Sequence, residues 1–580
     1  MEPCNLKPPD FALIDMNCKS TLLIAFSFIL LGSSRPVTRA TFTPLLSTDS
    51  LLAIVEDALG AATADDHAGT AVVVVQDDTV MLAKTYGLAS IEHRLPVADS
   101  TVFHIASVSK QFTGFAIAKL IAEGAMSLTD PVSQHLTDFP DFAYEVTVED
   151  LLYHRSGLRE WSTSLFLAGR AADDAFSNQD VRRMVAQQQE LSFRPGSRFV
   201  YVNTNYTLLA EIVAAVTGKS FKQYLESEVF EPVGMQHSRV RESTETIIPN
   251  RAGSYFYRDG RAYDAVDNLA VSGASGIYAS ISDLAKWGRY LLALPRTDPE
   301  IYRLLRRRAE LSDGTEIPYA FGFWPARFYG VDWIDHTGSW AGARAYSTYF
   351  PEHGLAIFTL KNYDERNYLG QHLAAAILKD HLNLTAAEPE DEASRDTLVI
   401  DDDTQRGLVG VYKLDGKFLR LQRREGELYG AVFPAAHGDT AYSEPVRVRR
   451  FTDSTYSMPD LGISFRSATP NGGIQIGEST FLPEKDRDEK RLRAYTGHYY
   501  SEELNVGYEI RLDETGLRIG NLNNGYFPMR PIVGDEFDVP ASFMDFVSIR
   551  RDSQGRITGL RVDTERSANQ LFHRISTSPH

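Results

Sequence analysis

The hydrophobic pattern of the chain changes period several times between residues 70 and 362. Residues 70–76 form an apolar, β-branched run, a turn follows at Asp77-Asp78, and apolar residues resume directly afterwards, which predicts a β-hairpin. Residues 107–124 place apolar side chains on most sides of a helix, so this helix is expected to be buried. A second helix is predicted to end at Gly218. Two further strands surround a turn at 351–354, so this block mixes helices and strands.

From about residue 400 to the end, the pattern consists of short strands separated by turn residues. This tail contains a weak internal repeat, because Gly410 and Tyr412 match Gly497 and Tyr499, 87 residues further on. Two small antiparallel β-barrels are the simplest interpretation, since closure removes exposed sheet edges. One larger β-sandwich is the alternative.

The length and these changes of pattern indicate several domains, because 580 residues are too many for one hydrophobic core. The fold class is predicted to be α+β. The predicted segments are a signal peptide at 1–40, a mixed α+β domain at 41–385, an acidic linker at 386–400, a first β-barrel at 401–488 and a second at 489–580.

The N-terminal segment resembles a secretory leader. Residues 21–32 are uncharged and apolar, Lys19 precedes them, and Ala40 is a plausible cleavage point. The run is short for a membrane span, although an uncleaved anchor is the alternative. Met16 is a second candidate start, which would give a leader without the preceding acidic residues. We therefore expect an exported protein, either periplasmic or secreted.

Composition limits the partners and the chemistry. The two cysteines, Cys4 and Cys18, precede the apolar run, so the processed chain would contain no disulfide, thiolate nucleophile or cysteine-bound zinc. The net charge of −18 argues against a large nucleic-acid interface. No later apolar run approaches 18 residues, so no further membrane segment is expected. No cofactor or metal is predicted, and the sequence leaves the oligomeric state open.

The first chemical signal is the pair Ser107 and Lys110. Residues three apart on a helix share a face, so the hydroxyl and the amine can meet. A serine hydroxyl needs a nearby base to act as a nucleophile, and lysine serves only when burial or positive potential lowers its pKa. The alternatives are a capped helix with an uninvolved lysine, or Ser109 as the functional hydroxyl.

Two weaker signals lie further along the chain. Tyr201, just before the second strong helix, could relay a proton, and Asn203 could bind an amide. His336 could shape the field around a reacting group, and Gly338 would let a substrate approach a strand backbone. Taken singly, each pattern is common, and a structural role is the default interpretation.

Taken together and in order, these motifs resemble the β-lactamase and penicillin-binding-protein superfamily, in its class C-like serine hydrolase branch. The resemblance covers residues 50–385. It implies an antiparallel sheet flanked by helices, followed by one or two small lipocalin-like β-barrels. The matching segments are Phe103–Lys110, Leu151–Leu158, Tyr201–Asn203, Gly273–Ser280 with Asp283–Trp287, and His336–Gly342.

The resemblance also implies a role for each position. Ser107 corresponds to the nucleophile that forms an acyl-enzyme, with Lys110 and Tyr201 as the shared acid/base apparatus. Asn203 would bind the substrate amide. The backbone N–H groups of Ser107 and Ser339 would form the oxyanion hole, whose donors are commonly worth ~10²–10³ in rate.

One position departs from the pattern of true β-lactamases. They have a lysine where this sequence has His336. The His-Thr-Gly version is similar to that of DD-carboxypeptidases and D-aminopeptidases, so β-lactamase activity is less expected. Arg344 is the candidate for binding a substrate carboxylate.

The implied function is a serine peptidase or amidase acting on short peptides with D-residues. Bacterial D-aminopeptidases combine this type of domain with two small barrels, and a barrel loop there can reach the active site. The alternatives are an esterase or weak β-lactamase, and a non-catalytic ligand-binding or sensor protein that retains the pocket. Small peptides, amides or esters are the expected partners, although the tail could instead contact an envelope polymer or another protein.

Overall fold

A computed structural model describes residues 46–575 apart from short gaps. The gaps are 172, 329–330, 366–368, 382–399, 415–416, 425–426, 435–445, 451–454, 459–462, 470–472, 477–478, 482–488, 532–533, 542 and 565. The predicted leader and almost all of the predicted linker therefore lie outside the described residues.

The helices lie mainly before residue 382. In chain order they are α1 (Thr48–Leu59), α2 (Lys110–Ala122), α3 (Val132–His135), α4 (Val148–Leu152), α5 (Trp161–Leu167), α6 (Asn178–Gln187), α7 (Asn203–Thr217), α8 (Phe221–Leu225), α9 (Glu231–Val233), α10 (Ile281–Thr297), α11 (Pro299–Leu305), α12 (Leu369–His381), α13 (Asp402–Leu408) and α14 (Glu489–Tyr495). Short 3₁₀ turns lie at Gly60–Thr63, Ala106–Ser109 and Pro351–His353, and a π-helical turn at Glu226–Phe230.

The first fifteen strands belong to the same part of the chain as α1–α12. They are β1 (Thr70–Gln76), β2 (Thr79–Tyr86), β3 (Leu88–Ser90), β4 (Leu95–Pro96), β5 (Val102–His104), β6 (Phe176–Ser177), β7 (Arg239–Val240), β8 (Tyr255–Arg258), β9 (Arg261–Asp264), β10 (Leu269–Ala270), β11 (Ile277–Ser280), β12 (Trp324–Phe328), β13 (Val331–Trp340), β14 (Ala343–Phe350) and β15 (Leu355–Lys361).

One antiparallel sheet organises this domain, with strand order β12-β13-β14-β15-β1-β2. The central strands β1, β14 and β15 are buried along their whole length, which fits the apolar, β-branched sequence of β1 and the largely apolar sequence of β15. Helices α1 and α12 cover one face with a smaller core, and α2 and α10 belong to the larger core on the other face. The structure contains the predicted hairpin, the two predicted helices and the two strands around the turn at 351–354. These elements confirm the predicted α+β fold class.

The remaining strands form the tail. They are β16 (Gly410–Leu414), β17 (Lys417–Arg424), β18 (Glu427–Pro434), β19 (Val446–Arg447), β20 (Arg449–Arg450), β21 (Thr455–Met458), β22 (Ile463–Thr469), β23 (Gly473–Ile476), β24 (Ser479–Phe481), β25 (Gly497–Ser501), β26 (Val506–Asp513), β27 (Gly516–Asn521), β28 (Gly525–Pro528), β29 (Arg530–Pro531), β30 (Glu536–Ala541), β31 (Met544–Arg551), β32 (Ile557–Asp563) and β33 (Gln570–Ile575).

The end of the tail is a nearly closed antiparallel barrel of nine described strands, in the order β28-β27-β26-β25-β33-β32-β31-β30-β29. Before it, β16–β19 and β20–β24 form two smaller sheets around a core of their own. The internal repeat is visible in the local structure, because Gly410 and Gly497 each begin a strand two residues after a short helix.

The nine-stranded barrel packs directly on the first domain. Leu167, the last residue of α5, is fully buried and belongs to the hydrophobic core of the barrel. Its carbonyl oxygen accepts a hydrogen bond from the Tyr508 hydroxyl at 3.1 Å. The described residues include no helix of the length and apolar character that a bilayer crossing requires.

Candidate active site

The candidate nucleophile lies on a tight turn at the start of α2. Ser107 belongs to the 3₁₀ turn Ala106–Ser109, and Lys110 is the first residue of the α-helix that follows. Positions three apart eclipse each other in 3₁₀ geometry, which brings Lys110 Nζ to 3.2 Å from Ser107 Oγ. Ala106 has a positive φ of 46°, an unusual conformation for a residue with a side chain and one that occurs preferentially at functional sites.

The Lys110 amine is held from three sides. Besides Ser107, Nζ lies 2.7 Å from Asn203 Oδ1 and 2.8 Å from the carbonyl oxygen of Ala274. The side chain is 0% exposed. Burial holds the pKa of Lys110 well below its usual value, the charge of Glu160 offsets part of this effect, and Arg566 adds to it.

Tyr201 and Asn203 lie beside this amine because His154 fixes the start of their segment. The His154 ring is fully buried, and its Nδ1 accepts the backbone N–H of Val202 at 3.2 Å. Burial lowers the pKa of His154 well below its ordinary value, so the ring is neutral and can act as this acceptor. The ring centroid of Tyr201 lies 4.9 Å from Lys110 Nζ. Burial raises the pKa of the Tyr201 phenol, which keeps its proton in place.

Glu160 is a functional candidate that sequence reasoning missed. Its carboxylate accepts the backbone N–H of Asn203 at 2.5 Å and the Asn203 Nδ2 amide at 3.3 Å. Its own backbone N–H donates to Ser567 Oγ, in the barrel, at 2.9 Å. Glu160 is 1% exposed. A continuous chain of polar contacts therefore connects the barrel through Glu160, Asn203 and Lys110 to Ser107.

His336 closes the site from the sheet. It is buried on β13, its Nε2 lies 3.0 Å from the Tyr319 hydroxyl, and its Nδ1 lies 2.6 Å from the carbonyl oxygen of Thr337. The ring centroids of His336 and Tyr201 are 6.1 Å apart. Burial, together with the Lys110 charge, lowers the pKa of His336 to about 3. The imidazole is therefore neutral near pH 7. No sequence signal had indicated Tyr319.

Gly338 lies against the turn Ala106–Ser109 that carries the candidate nucleophile, called the nucleophile turn below. A Cβ atom at this position would be 2.3 Å from the carbonyl oxygen of Ile105 and 3.2 Å from the amide nitrogen of Ser107. The glycine is thus required for the approach of the turn itself, rather than only for the approach of a substrate as the sequence suggested. Ser339 follows Gly338 on β13. It lies beyond Val331–Asp335, the part of β13 that pairs with β12.

The candidate carboxylate-binding residue Arg344 lies outside the site. Alternate residues of a strand point to the same face, so Arg344 and Tyr346 share one face of β14. The Tyr346 ring packs toward Gly370 of α12, and this face of the sheet is the one opposite His336. Its guanidinium donates to the carbonyl oxygens of Ala343 and Asp364. Arg344 therefore does not lie in the site.

The alternative nucleophile Ser109 has a structural partner. It is 0% exposed, and its hydroxyl oxygen accepts the backbone N–H of Ile277 at 3.3 Å. This contact attaches the nucleophile turn to β11. Among the described residues, no group of three His, Cys, Asp or Glu side chains is arranged to hold a metal.

Comparison with known proteins agrees with this geometry. The beta-lactamase family matches residues 55–381, more than half of the chain, and the chain therefore belongs to that family. A D-aminopeptidase of Brucella anthropi is 25% identical over 85% of this chain and 93% of its own length. A D-aminopeptidase of Gluconobacter oxydans is 28% identical over 60% of this chain, and the match spans 66% of that relative.

The fold also matches a solved structure. The octameric penicillin-binding protein homologue from Pyrococcus abyssi superposes with a TM-score of 0.52, at 19% identity, over 82% of this chain and 98% of its own. At this identity the likeness concerns the fold alone.

Proposed function

We propose that this protein is a serine hydrolase of the D-aminopeptidase type, which cleaves amide bonds of short peptides containing D-residues through an acyl-enzyme on Ser107. The observation that carries the proposal is the buried Lys110 amine, 3.2 Å from the Ser107 hydroxyl. The beta-lactamase family membership and the D-aminopeptidase relatives support the same reaction class.

The three contacts of Lys110 explain how it would act as a base. A neutral amine has two N–H bonds and one lone pair. Asn203 Oδ1 and the Ala274 carbonyl oxygen can only accept, so they take the two N–H bonds. The lone pair then faces Ser107, whose O–H donates to it. The low pKa of Lys110 favours this neutral form at physiological pH.

The reaction would follow in two balanced steps. Lys110 takes the Ser107 proton as Oγ attacks the carbonyl carbon, and the N–H groups of Ser107 and Ser339 would stabilise the oxyanion. Tyr201, beside the Lys110 amine, would pass a proton to the departing amine while the C–N bond breaks, and the proton that Lys110 took from Ser107 would then restore the phenol. In the second step water would give one proton to the neutral Lys110 as it attacks the ester, and Lys110 would return that proton to Ser107 Oγ as the acid is released. In this scheme the neutral His336 contributes polarity rather than a proton.

Hydrolysis of D-alanyl p-nitroanilide beside its L-isomer tests the proposal. A short-chain nitrophenyl ester and a chromogenic cephalosporin complete the panel, and Ser107→Ala serves as the inactive control. The proposal predicts that the D-amide is the best amide substrate and that Ser107→Ala abolishes its turnover. Turnover of the ester or the cephalosporin without any amide turnover would contradict it, and a complete lack of turnover would favour a binding protein.

We also propose that the protein is exported. The support is the uncharged apolar run at 21–32, which precedes the described residues. N-terminal sequencing of the protein recovered from the periplasm or the medium should find a start near residue 41. Full-length protein confined to the cytoplasm would contradict export.

A further inference from the structure

The turn between β32 and β33 of the barrel is docked against the nucleophile domain by several backbone contacts. The Ala568 carbonyl oxygen accepts from Arg159 Nε at 3.0 Å, and the Asn569 carbonyl oxygen accepts from Arg159 Nη2 at 3.0 Å. Asn569 Nδ2 donates to the Ser192 carbonyl oxygen at 3.2 Å. Main-chain contacts of this kind fix the position of the turn relative to the site.

A buried ion pair anchors the same interface. Arg159, 0% exposed, pairs with Glu503 of the barrel, which also accepts from Gln570 Nε2 at 2.9 Å. The two charges neutralise each other at the interface.

The docked turn places Arg566 over a catalytic side chain. Its guanidinium carbon lies 5.3 Å from the centroid of the Tyr201 ring, and its backbone carbonyl oxygen accepts the N–H of Glu160 at 3.3 Å. The side chain is half-buried. Its positive charge adds to the lowering of the Lys110 pKa by burial and offsets part of the rise that burial causes in the pKa of Tyr201.

The position of Arg566 identifies which part of a substrate it would meet. In the proposed reaction Tyr201 delivers the proton to the departing amine, so groups beside Tyr201 lie next to the leaving residue. A guanidinium is well suited to a carboxylate, which it can bind by two parallel hydrogen bonds. Arg344, the sequence candidate for this task, lies on the opposite face of the sheet.

Resting on the proposed function, we propose that Arg566 is a specificity-determining residue that binds the carboxylate of the leaving residue, so that the preferred substrates are short D-peptides with an unblocked C-terminus. The barrel would thus contribute a substrate-binding group to the hydrolase domain. The preference concerns a negative charge on the leaving side, whereas a carboxylate on the acyl side would not reach this guanidinium.

D-alanyl-D-alanine and its C-terminal amide provide the direct test, because they share the scissile bond and differ only in the terminal carboxylate. The wild-type protein should show at least about a tenfold higher kcat/KM for the acid, since hydrogen bonds to charged groups are worth ~1.5–3 kcal/mol. Arg566→Gln should abolish this ratio, Arg566→Glu should invert it, and Arg566→Lys should retain part of it. Arg556→Gln, at an exposed turn of the same barrel, is the matched control and should keep the ratio.

Any one of the following results would overturn the inference: equal turnover of the two substrates by the wild type, an unchanged ratio in Arg566→Gln, or a carboxylate preference seen only with N-succinyl-D-alanyl p-nitroanilide. A uniform loss on both substrates with a shifted pH profile would also overturn it, because Arg566 would then act through Lys110. Turnover of D-alanyl p-nitroanilide is measured in parallel. If this neutral amide is cleaved while the ratio is absent, the proposed function stands and the inference alone fails.

Discussion

The side chain of Lys110 is fully enclosed, and this enclosure governs the pH range in which it can act as a base. Replacing Lys110 by alanine should lower the acylation rate at least about 100-fold, because general-base catalysis typically contributes that much. Lys119→Ala is the matched control: it removes a lysine of the same helix whose partners are Glu123 and Glu228. Single-turnover release of p-nitroaniline measures the rate. Retained acylation in Lys110→Ala would move the base role to Tyr201.

Glu160 should control the acid limb of the pH–rate profile. Its negative charge raises the pKa of Lys110, so Glu160→Gln should lower that pKa further and move the acid limb of kcat/KM to lower pH. Plateau activity should fall about tenfold, because Asn203 loses a charged acceptor. Glu211→Gln, on α7 beside Asn178 and Arg182, is the control. An acid limb that stays in place would contradict the role of Glu160.

The sequence predicted some residues of the site and missed others for an identifiable reason. Ser107 and Lys110 are three apart, so local geometry alone brings them together. Glu160 and Ser567, by contrast, touch across 407 residues of chain, and no local pattern records such a contact. Arg344 was a candidate because of its type, but strand alternation places it on the wrong face.

Among the elements, β13 carries site residues on one face and a buried acid on the other. Asp335 precedes His336 on this strand and accepts from the Tyr346 hydroxyl at 2.9 Å. Burial raises its pKa to about 7, whereas an unfolded chain releases this proton near pH 4. The native state thus holds a proton that the unfolded state lacks between these values, so its contribution to stability is lost as pH rises toward 7.

Asp335→Asn should remove this pH dependence. The free energy of unfolding of the variant should exceed that of the wild type above pH 7 and approach it near pH 4. Between these pH values the difference between the two proteins should grow by up to about 1.4 kcal/mol for each pH unit. Asp313→Asn, in an exposed loop where Thr315 lowers the pKa of the carboxyl, is the control and should not reproduce the gain. Parallel stability curves for Asp335→Asn and the wild type would refute the explanation.

The elements themselves were largely predictable, and the exceptions are informative. The long helix expected from Ser107 begins as a 3₁₀ turn and becomes α-helical at Lys110. The reason is tertiary: Gly338 packs against Ile105 and Ser107, and Ser109 accepts from Ile277, so the turn is tightened by neighbours distant in sequence.

In the whole molecule, the pair of Arg159 and Glu503 joins the barrel to the hydrolase domain. Removing one member of a buried pair typically costs ~3–5 kcal/mol, because the remaining charge is left without a partner. Arg159→Leu should therefore lower the thermal stability and loosen the turn that carries Arg566. Arg303→Leu, which breaks an exposed pair with Glu300, should change stability by less than about 1 kcal/mol.

Calorimetry together with hydrogen exchange at 564–569 measures both effects of Arg159→Leu. An unaltered transition and unaltered protection of that turn would show that the ion pair does not hold the barrel in place. The sequence had indicated barrels after the hydrolase domain, but it could not show where they dock, because docking depends on contacts between residues far apart in the chain, such as Leu167 in the barrel core and Arg159 with Glu503.

Mass spectrometry after reaction with a serine-reactive phosphonate tests the central claim most directly, namely that Ser107 is the nucleophile of this site. The protein should gain one adduct, on the peptide that contains residues 107–110, and Ser107→Ala should gain none while Ser109→Ala is still labelled. An adduct that persists in Ser107→Ala, or an intact wild-type protein that remains unlabelled, would contradict the account.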